Sequence, residues 1–168
     1  GQIRAYSEGR GTGARFVVTL PVQLAPVDTA PSARFGEMRA LKVVVADDNV
    51  DSVESLAVLL TLDGHQVSVA HDGLTAVQLT IDTQPDLAIL DLGMPGIDGY
   101  EAAKRMRALP GGEDRVLVAL SGYAQTGDRQ RSHQAGFDLH LVKPLDPDRL
   151  RDLLAAVVTG RARFRDSY

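Results

Sequence analysis

The sequence has no cysteine and no long hydrophobic run. Without cysteine the chain can form neither a disulfide nor a thiolate metal site, and it has no thiol nucleophile. No apolar stretch approaches the ~20 residues that a bilayer span requires, and the N-terminus does not follow the basic-then-apolar order of a signal peptide. We therefore expect a cytoplasmic segment without membrane contact of its own, whether the parent protein is soluble or membrane-anchored.

An excess of positive charge is also missing. The formal net charge is −4; residues 1–40 carry five basic and three acidic side chains (+2), and the remainder carries thirteen basic and nineteen acidic ones (−6). An acidic domain is repelled by phosphate backbones, and Arg161, Arg163 and Arg165 near the C-terminus are too few to reverse this. We expect no nucleic-acid binding.

From residue 41 onward, strand and helix patterns alternate five times. Hydrophobic residues make up 44% of the chain, enough for a core. Five strand-helix units with right-handed crossovers predict an α/β fold with a doubly wound, five-stranded parallel sheet. The predicted strands are 41–46, 66–70, 87–90, 116–120 and 139–142, and the predicted helices are 50–62, 73–81, 98–109, 125–135 and one that follows Asp146 and Pro147.

Carboxylates follow two of these strands at the point where each strand ends. Asp47 and Asp48 come directly after the first strand, and Asp91 follows the third. Ligands of open α/β sheets lie at the carboxyl ends of the strands, so these side chains should meet at one edge. Carboxylates held that close need a cation, and a set of oxygen ligands suits Mg²⁺. The sequence therefore predicts a magnesium site.

The last two strands add a hydroxyl and an ammonium group, from Ser121 and Lys143. A carboxylate, a metal ion, a hydroxyl donor and a lysine are the components that in-line phosphoryl transfer to an aspartate requires. Asp91 is the candidate acceptor.

With these motifs in order, residues 41–158 resemble the receiver domain of two-component response regulators. The resemblance rests on Asp47-Asp48, on the segment Asp-Leu-Gly-Met-Pro-Gly-Ile-Asp-Gly that starts at Asp91, on Ser121-Gly122 and on Lys143-Pro144. It implies a flavodoxin-like strand order 2-1-3-4-5 and transfer of a phosphoryl group from the phosphohistidine of a kinase or phosphotransfer domain.

The same resemblance implies a role for individual residues. Mg²⁺ would be bound by Asp47, Asp48, Asp91 and the backbone carbonyl of Gly93. Ser121 and Lys143 would hold the phosphoryl oxygens, and the bond before Pro144 would be cis.

Two further positions concern the response to phosphorylation. His140 stands where receiver domains usually carry an aromatic switch residue, and Tyr123, with Gly93, stands where the family controls access of water to the phosphoaspartate. Output is expected through the fourth helix, fifth strand and fifth helix of the domain.

Residues 1–21 carry a second resemblance. A glycine-rich turn with Gly9, Gly11 and Gly13, followed by Ala-Arg-Phe-Val-Val-Thr-Leu-Pro, is similar to the end of the ATP-binding domain of sensor histidine kinases. This implies a hybrid histidine kinase as the parent chain, with a linker at 22–40 and a tail at 159–168. We expect no ATPase activity from the segment alone. We expect residues 3–7 and 14–20 to form a hairpin that is ordered by packing on its own receiver domain or, as we favour, by pairing with a second copy, which would give a homodimer.

Other interpretations remain open. Asp47 and Asp48 could cap a helix, Ser121 could be a turn residue, Lys143 a loop lysine, and His140 a half-exposed strand histidine without a signalling role. The whole domain could be a pseudo-receiver that only binds proteins. A phosphatase of the haloacid dehalogenase type is discounted, because it needs an aspartate where this chain has Gly93.

Overall fold

The computed structural model describes residues 2–7, 9, 13–19, 39–122 and 126–160, without the side chains of residues 126 and 127. The chain divides into two compact units, residues 1–37 and 38–168. Tyr123, the three arginines of the tail and all but the last two residues of the predicted linker lie outside the described residues.

The first unit contains an antiparallel pair of strands, β1 (Gln2–Tyr6) and β2 (Arg15–Thr19). Ile3 lies opposite Val18, and Ala5 lies opposite Phe16, so these four side chains share one face of the hairpin. Ile3, Phe16 and Val18 are 57–73% exposed. These strands form a hairpin, whereas the kinase origin of this unit and the homodimer remain predictions.

The second unit has the predicted fold. Its five parallel strands run in the order β4-β3-β5-β6-β7, which is 2-1-3-4-5 when the domain is numbered alone, so fold class and strand order are confirmed. The elements are β3 (Lys42–Ala46), α1 (Val50–Leu62), β4 (Gln66–Ala70), α2 (Gly73–Thr83), β5 (Leu87–Asp91), α3 (Gly99–Ala108), β6 (Val116–Ser121), α4 (Thr126–Ala135), β7 (Leu139–Val142) and α5 (Pro147–Val158).

The sheet is buried on both faces because helices cover each of them. In β3, Val43 and Val45 point to the face covered by α1 and α5, and Val44 and Ala46 point to the face covered by α2, α3 and α4. Side chains alternate along a strand, so a continuous run of valines fills both cores at once. This is why the strands read as unbroken hydrophobic segments.

Side-chain caps determine where most helices begin. Asn49, Asp72, Asp98 and Asp146 each accept a hydrogen bond from a backbone N–H in the first turn of α1, α2, α3 and α5. The alternative that Asp47 and Asp48 cap α1 is wrong, since Asn49 takes that role. Helix α2 runs two residues past the predicted end at Ile81, because the stop comes only where Gln84 adopts a left-handed conformation (φ 46°) before Pro85.

A buried charged cluster lies at the amino end of the strands. Its members are Arg107, Arg115 and Asp138. Arg107 pairs with Asp138 and also donates to backbone carbonyls, including that of Gly136 at 2.7 Å. Asp138 accepts from the N–H of Leu117 at 2.8 Å. The cluster ties the end of α3 to the starts of β6 and β7.

Arg115 is also bonded to carbonyls. It donates to Pro85 and Met106, each at 3.2 Å. Burial, followed by the charge of Arg107, lowers the pKa of Arg115.

Among the described helices, none is long and apolar enough to cross a membrane.

Candidate functional site

Three carboxylates meet at the carboxyl end of the sheet. Asp47 and Asp48 follow β3, and Asp91 is the last residue of the neighbouring strand β5. Each offers an oxygen that lies within 4.8 Å of the others. Asp47 and Asp91 are buried, at 3% and 7% exposure, whereas Asp48 is exposed. The residues that the sequence predicted to share an edge are therefore together.

Lys143 bridges two of these carboxylates from the end of β7. Its Nζ lies 2.6 Å from Oδ2 of Asp47 and 2.5 Å from Oδ1 of Asp91. Burial alone would lower the pKa of Lys143, but the hydrogen bonds and charges of Asp47 and Asp91 outweigh it and raise that pKa. The lysine therefore stays an ammonium. The bond from Lys143 to Pro144 is cis, as the resemblance implied.

Backbone N–H groups hold the remaining oxygens of the two buried carboxylates. The N–H of Asn49 donates to Oδ1 of Asp47 at 3.0 Å, and the N–H of Gly93 donates to Oδ2 of Asp91 at 2.7 Å. A Cβ at position 93 would lie 3.2 Å from the same Asp91 oxygen. A glycine there lets the chain turn back on the carboxylate, a contact that the sequence did not reveal.

The charges of the pocket do not balance. Asp47, Asp48 and Asp91 carry three negative charges and Lys143 carries one positive charge. The excess of two negative charges equals the charge of one divalent ion. The donor atoms are carboxylate oxygens, which Mg²⁺ prefers over softer ligands. The residues present therefore fit a magnesium ion.

Ser121 stands at the end of β6, between the ends of β5 and β7. It is 9% exposed, and its carbonyl accepts from the N–H of Lys143 at 2.8 Å. Its Oγ lies 2.7 Å from Nε2 of His140. The alternative that Ser121 is only a turn residue does not hold, since it is the last residue of a strand.

His140 is buried, with 7% exposure, so it is not half-exposed as the alternative supposed, whereas a signalling role for this residue stays a prediction. Its Nδ1 lies 2.9 Å from Oγ of Ser132, which is fully buried in α4. Burial, followed by the charge of Arg129, lowers the pKa of His140, while Asp128 opposes this shift. Sequence reasoning missed Ser132 because α4 is polar up to Ala135, its last residue, and its sequence therefore shows no apolar stripe. The other predicted tuning residue, Tyr123, lies outside the described residues.

An apolar groove opens beside the pocket. It is lined by Leu56 and Leu59 of α1 and by Leu145 and Leu150 near the start of α5, and it reaches Asp47 and Lys143. Leu59 is 49% exposed, and Val58 and Leu62 of the same helix are also exposed. The charged pocket is therefore flanked by a partly exposed apolar surface.

Comparison with known proteins gives a consistent result. The model of the response regulator receiver domain family matches residues 43–155. Sensor histidine kinase AtsR of Burkholderia thailandensis is 31% identical over 153 residues, which cover 86% of this chain and 25% of AtsR. Virulence sensor protein BvgS of Bordetella pertussis is 36% identical over 152 residues, which cover 87% of this chain and 12% of BvgS. The chain thus spans a quarter or less of these two relatives.

Solved structures show the same fold. The receiver domain of sensor histidine kinase PA1611 from Pseudomonas aeruginosa, which has a magnesium ion coordinated in its active-site cleft, is 28% identical with a TM-score of 0.66. That match covers 71% of this chain and 98% of the PA1611 domain.

Proposed function

Because this chain belongs to the response regulator receiver domain family of two-component systems, we propose that Asp91 accepts a phosphoryl group from a phosphohistidine in a reaction that requires Mg²⁺. The observation that carries this proposal is the bridge of Lys143 between Asp47 and Asp91, with Asp48 within reach. The carboxyl ends of the strands thereby bring together a nucleophile, a cationic side chain and a pocket with two negative charges in excess.

The chemistry follows from these positions. An oxygen of Asp91 attacks phosphorus, the bond from phosphorus to the histidine nitrogen breaks, and the donor imidazole leaves with the electron pair. When bound, Mg²⁺ supplies positive charge to the phosphoryl oxygens. The ammonium of Lys143 turns from the carboxylates to the phosphoryl oxygens and stabilises their negative charge. The Ser121 hydroxyl donates a hydrogen bond to one of these phosphoryl oxygens.

Phosphorylation of the full chain with acetyl phosphate tests this assignment. With Mg²⁺, intact-mass spectrometry is expected to show one added phosphoryl group, which Asp91→Asn and removal of Mg²⁺ both abolish. Asp72→Asn is the matched control, because Asp72 caps α2 and asparagine caps a helix equally well. Equal labelling of the Asp91→Asn variant would contradict the assignment, and no labelling at all would favour the pseudo-receiver.

The donor is expected to be a protein with a phosphohistidine, either a kinase or a phosphotransfer domain, bound over the groove between α1 and the start of α5. The groove reaches Asp47 and Lys143, so a donor bound over Leu59 lies beside the pocket that contains Asp91. Leu59→Glu is expected to slow transfer from a phosphorylated histidine phosphotransfer protein while acetyl phosphate still reacts normally. Leu74→Glu, an exposed position on α2, is the control. Equal slowing of phosphotransfer by both variants would exclude the groove as the surface that binds the donor.

The parent chain is proposed to be a hybrid sensor histidine kinase. The alignments with AtsR and BvgS cover 86% and 87% of this chain, more than the receiver domain alone occupies. Residues 1–21 then correspond to the end of an ATP-binding domain, and 22–40 to a linker. A coding sequence in which no ATP-binding domain precedes residue 1 would contradict this proposal.

A further inference from the structure

The hydrogen bonds around His140 determine where its proton lies. Ser132 has one hydroxyl proton, and that hydroxyl donates to the carbonyl of Asp128 at 2.8 Å. Towards His140 the Ser132 oxygen can therefore only accept, at 2.9 Å from Nδ1. The carbonyl of Asp128 also faces the imidazole as an acceptor. The Ser132 contacts therefore put the proton on Nδ1, and the hydrogen bond between the imidazole and the Asp128 backbone agrees with this assignment.

This assignment fixes the direction of the Ser121 contact. Burial disfavours a charged imidazole at this position, so His140 is neutral and its Nε2 carries a lone pair. The Ser121 hydroxyl, 2.7 Å away, must then donate to Nε2. The one proton of Ser121 is thus directed at His140, and it cannot serve a phosphoryl oxygen at the same time.

Phosphorylation of Asp91, which is the proposed function on which this inference rests, changes the acceptor that the Ser121 proton must serve. A phosphoryl oxygen only accepts hydrogen bonds, so Ser121 must turn its proton towards the phosphoryl group. The lone pairs of Ser121 Oγ and His140 Nε2 would then face each other in a buried position, which is unfavourable unless Nε2 gains a proton.

We propose that His140 is a positioning residue that exchanges tautomers when Ser121 turns to the phosphoryl group. The imidazole proton leaves Nδ1 and appears on Nε2, which then donates to Ser121. The Ser132 hydroxyl turns from the Asp128 carbonyl to Nδ1. The three protons of Ser121, His140 and Ser132 are conserved, and no buried charge is created.

The exchange carries the state of the pocket into α4. Asp128 lies in the first turn of α4, and Ser132 is the fully buried residue through which this polar helix contacts His140. When Ser132 turns, the first turn of α4 loses a side-chain hydrogen bond. A chain of hydrogen bonds thus links Asp91 phosphorylation to a helix on the expected output face.

Nitrogen-15 NMR of the histidines in the full chain tests the exchange directly, with beryllium fluoride and Mg²⁺ in place of the phosphoryl group. His140 is expected to be the Nδ1–H tautomer without the ligand and the neutral Nε2–H tautomer with it. An unchanged Nδ1–H tautomer, or an imidazolium, in a complex that has formed would overturn the exchange alone. Failure of beryllium fluoride to bind would remove the proposed function as well.

A variant of Ser132 gives a second measurement. In Ser132→Ala, the Nδ1 proton of the resting state can still bond the Asp128 carbonyl, but Nδ1 of the exchanged tautomer has lost its donor. Beryllium fluoride is therefore expected to bind about tenfold more weakly, the cost of one unsatisfied buried acceptor. Ser132→Thr keeps the hydroxyl and is expected to restore binding.

The pH profile and a control separate this role from a structural one. In Ser132→Ala only an imidazolium can donate to both Ser121 and Asp128, so the binding deficit is expected to shrink as the pH falls below 7. Arg129 opposes the charge of a His140 imidazolium, Asp128 favours it, and Tyr100 is the titratable side chain beside Ser132.

Thr80→Ala is the control variant. It removes a similar hydrogen bond of a buried hydroxyl in α2 and is expected to leave beryllium fluoride binding unchanged. Equal deficits in the Ser132→Ala and Thr80→Ala variants would overturn the proposal.

Discussion

The two ends of the sheet each hold a cluster of charged side chains, and the clusters differ in how their charges are satisfied. At the amino end, Arg107 pairs with Asp138, and the remaining donors of Arg107 and Arg115 bond backbone carbonyls. At the carboxyl end, three carboxylates lie together, and Lys143, the one cation paired with them among the described residues, contacts Asp47 and Asp91 but not Asp48. The first cluster uses its hydrogen bonds to join elements of the fold, whereas the second keeps a charge that only an added cation can neutralise.

This difference separates a structural cluster from a site. Buried charge in itself marks neither, because both clusters contain aspartates that are at most 9% exposed. The informative property is the imbalance of charge at an edge where side chains of several strands converge. Removing one aspartate should therefore destabilise the protein when it belongs to the amino-end cluster and stabilise it when it belongs to the carboxyl-end cluster.

The largest expected effect is at the amino end. Asp138→Ala leaves the Arg107 charge without its carboxylate and the Leu117 N–H without an acceptor, which is expected to cost about 3 kcal/mol of the free energy of unfolding. Urea denaturation measures this value. Asp148→Ala, which breaks an exposed pair with Arg151, is the control and is expected to cost less than about 1 kcal/mol. Similar losses in both variants would remove the distinction between the clusters.

Magnesium is expected to act at the carboxyl end only. At a concentration one hundred times its dissociation constant, Mg²⁺ is expected to raise the free energy of unfolding by about 2.7 kcal/mol. Thermal denaturation with and without the ion shows this effect. It should vanish in a variant with Asp47→Asn and Asp48→Asn and persist in Asp138→Ala; stabilisation of the double variant to the same extent would place the ion elsewhere.

Removal of one carboxylate from the carboxyl end is expected to have the opposite sign to Asp138→Ala. Without Mg²⁺, Asp91→Asn relieves the repulsion among the three aspartates and is expected to stabilise the domain by about 1 kcal/mol, since charge relief at a functional site commonly yields a gain of this size. The single asparagine oxygen can accept from the N–H of Gly93 or from Lys143, and the ammonium keeps its pair with Asp47. A loss of stability would mean that the carboxylates serve the fold.

The smallest expected effect concerns two histidines, one at each end. Burial lowers the pKa of His65, whose Nδ1 accepts from the N–H of Leu41, and also that of His140. For a lowered histidine pKa, the stabilisation is complete above the unfolded value of about 6.5 and is lost as the pH falls towards the folded value. The urea concentration at the midpoint of unfolding is expected to decrease as the pH is lowered from 7.5 to 5.5. The decrease is expected to be smaller in His65→Gln. A midpoint that rises on acidification would contradict both assignments.

Much of this fold and its pocket could be predicted from the sequence, because each signal was local. Valine runs identified the strands, and Asp146 with Pro147 marked the start of the last helix. Parallel strands bring Asp47, Asp91 and Lys143 to one edge whatever the details of packing. The amino-end cluster could not be predicted in this way. Arg107 reaches carbonyls in separate turns, and such contacts depend on a tertiary arrangement that has no sequence pattern.

The contact between His140 and Ser132 escaped prediction for a related reason. A helix reveals its buried face through apolar spacing, but the buried face of α4 has only Ala135, at the end of the helix, as an apolar residue beside the fully buried Ser132. Position 140 could be singled out because it departs from the family pattern, but its partner could not.

The bridge of Lys143 has a consequence for the order in which the protein matures. Because the ammonium already joins Asp47 to Asp91, the ends of β3, β5 and β7 can come together during folding before any ion arrives. A newly synthesised chain could then complete this domain when magnesium is scarce and load the ion afterwards. Competence for signalling would follow the supply of the metal, while survival of the folded chain would not.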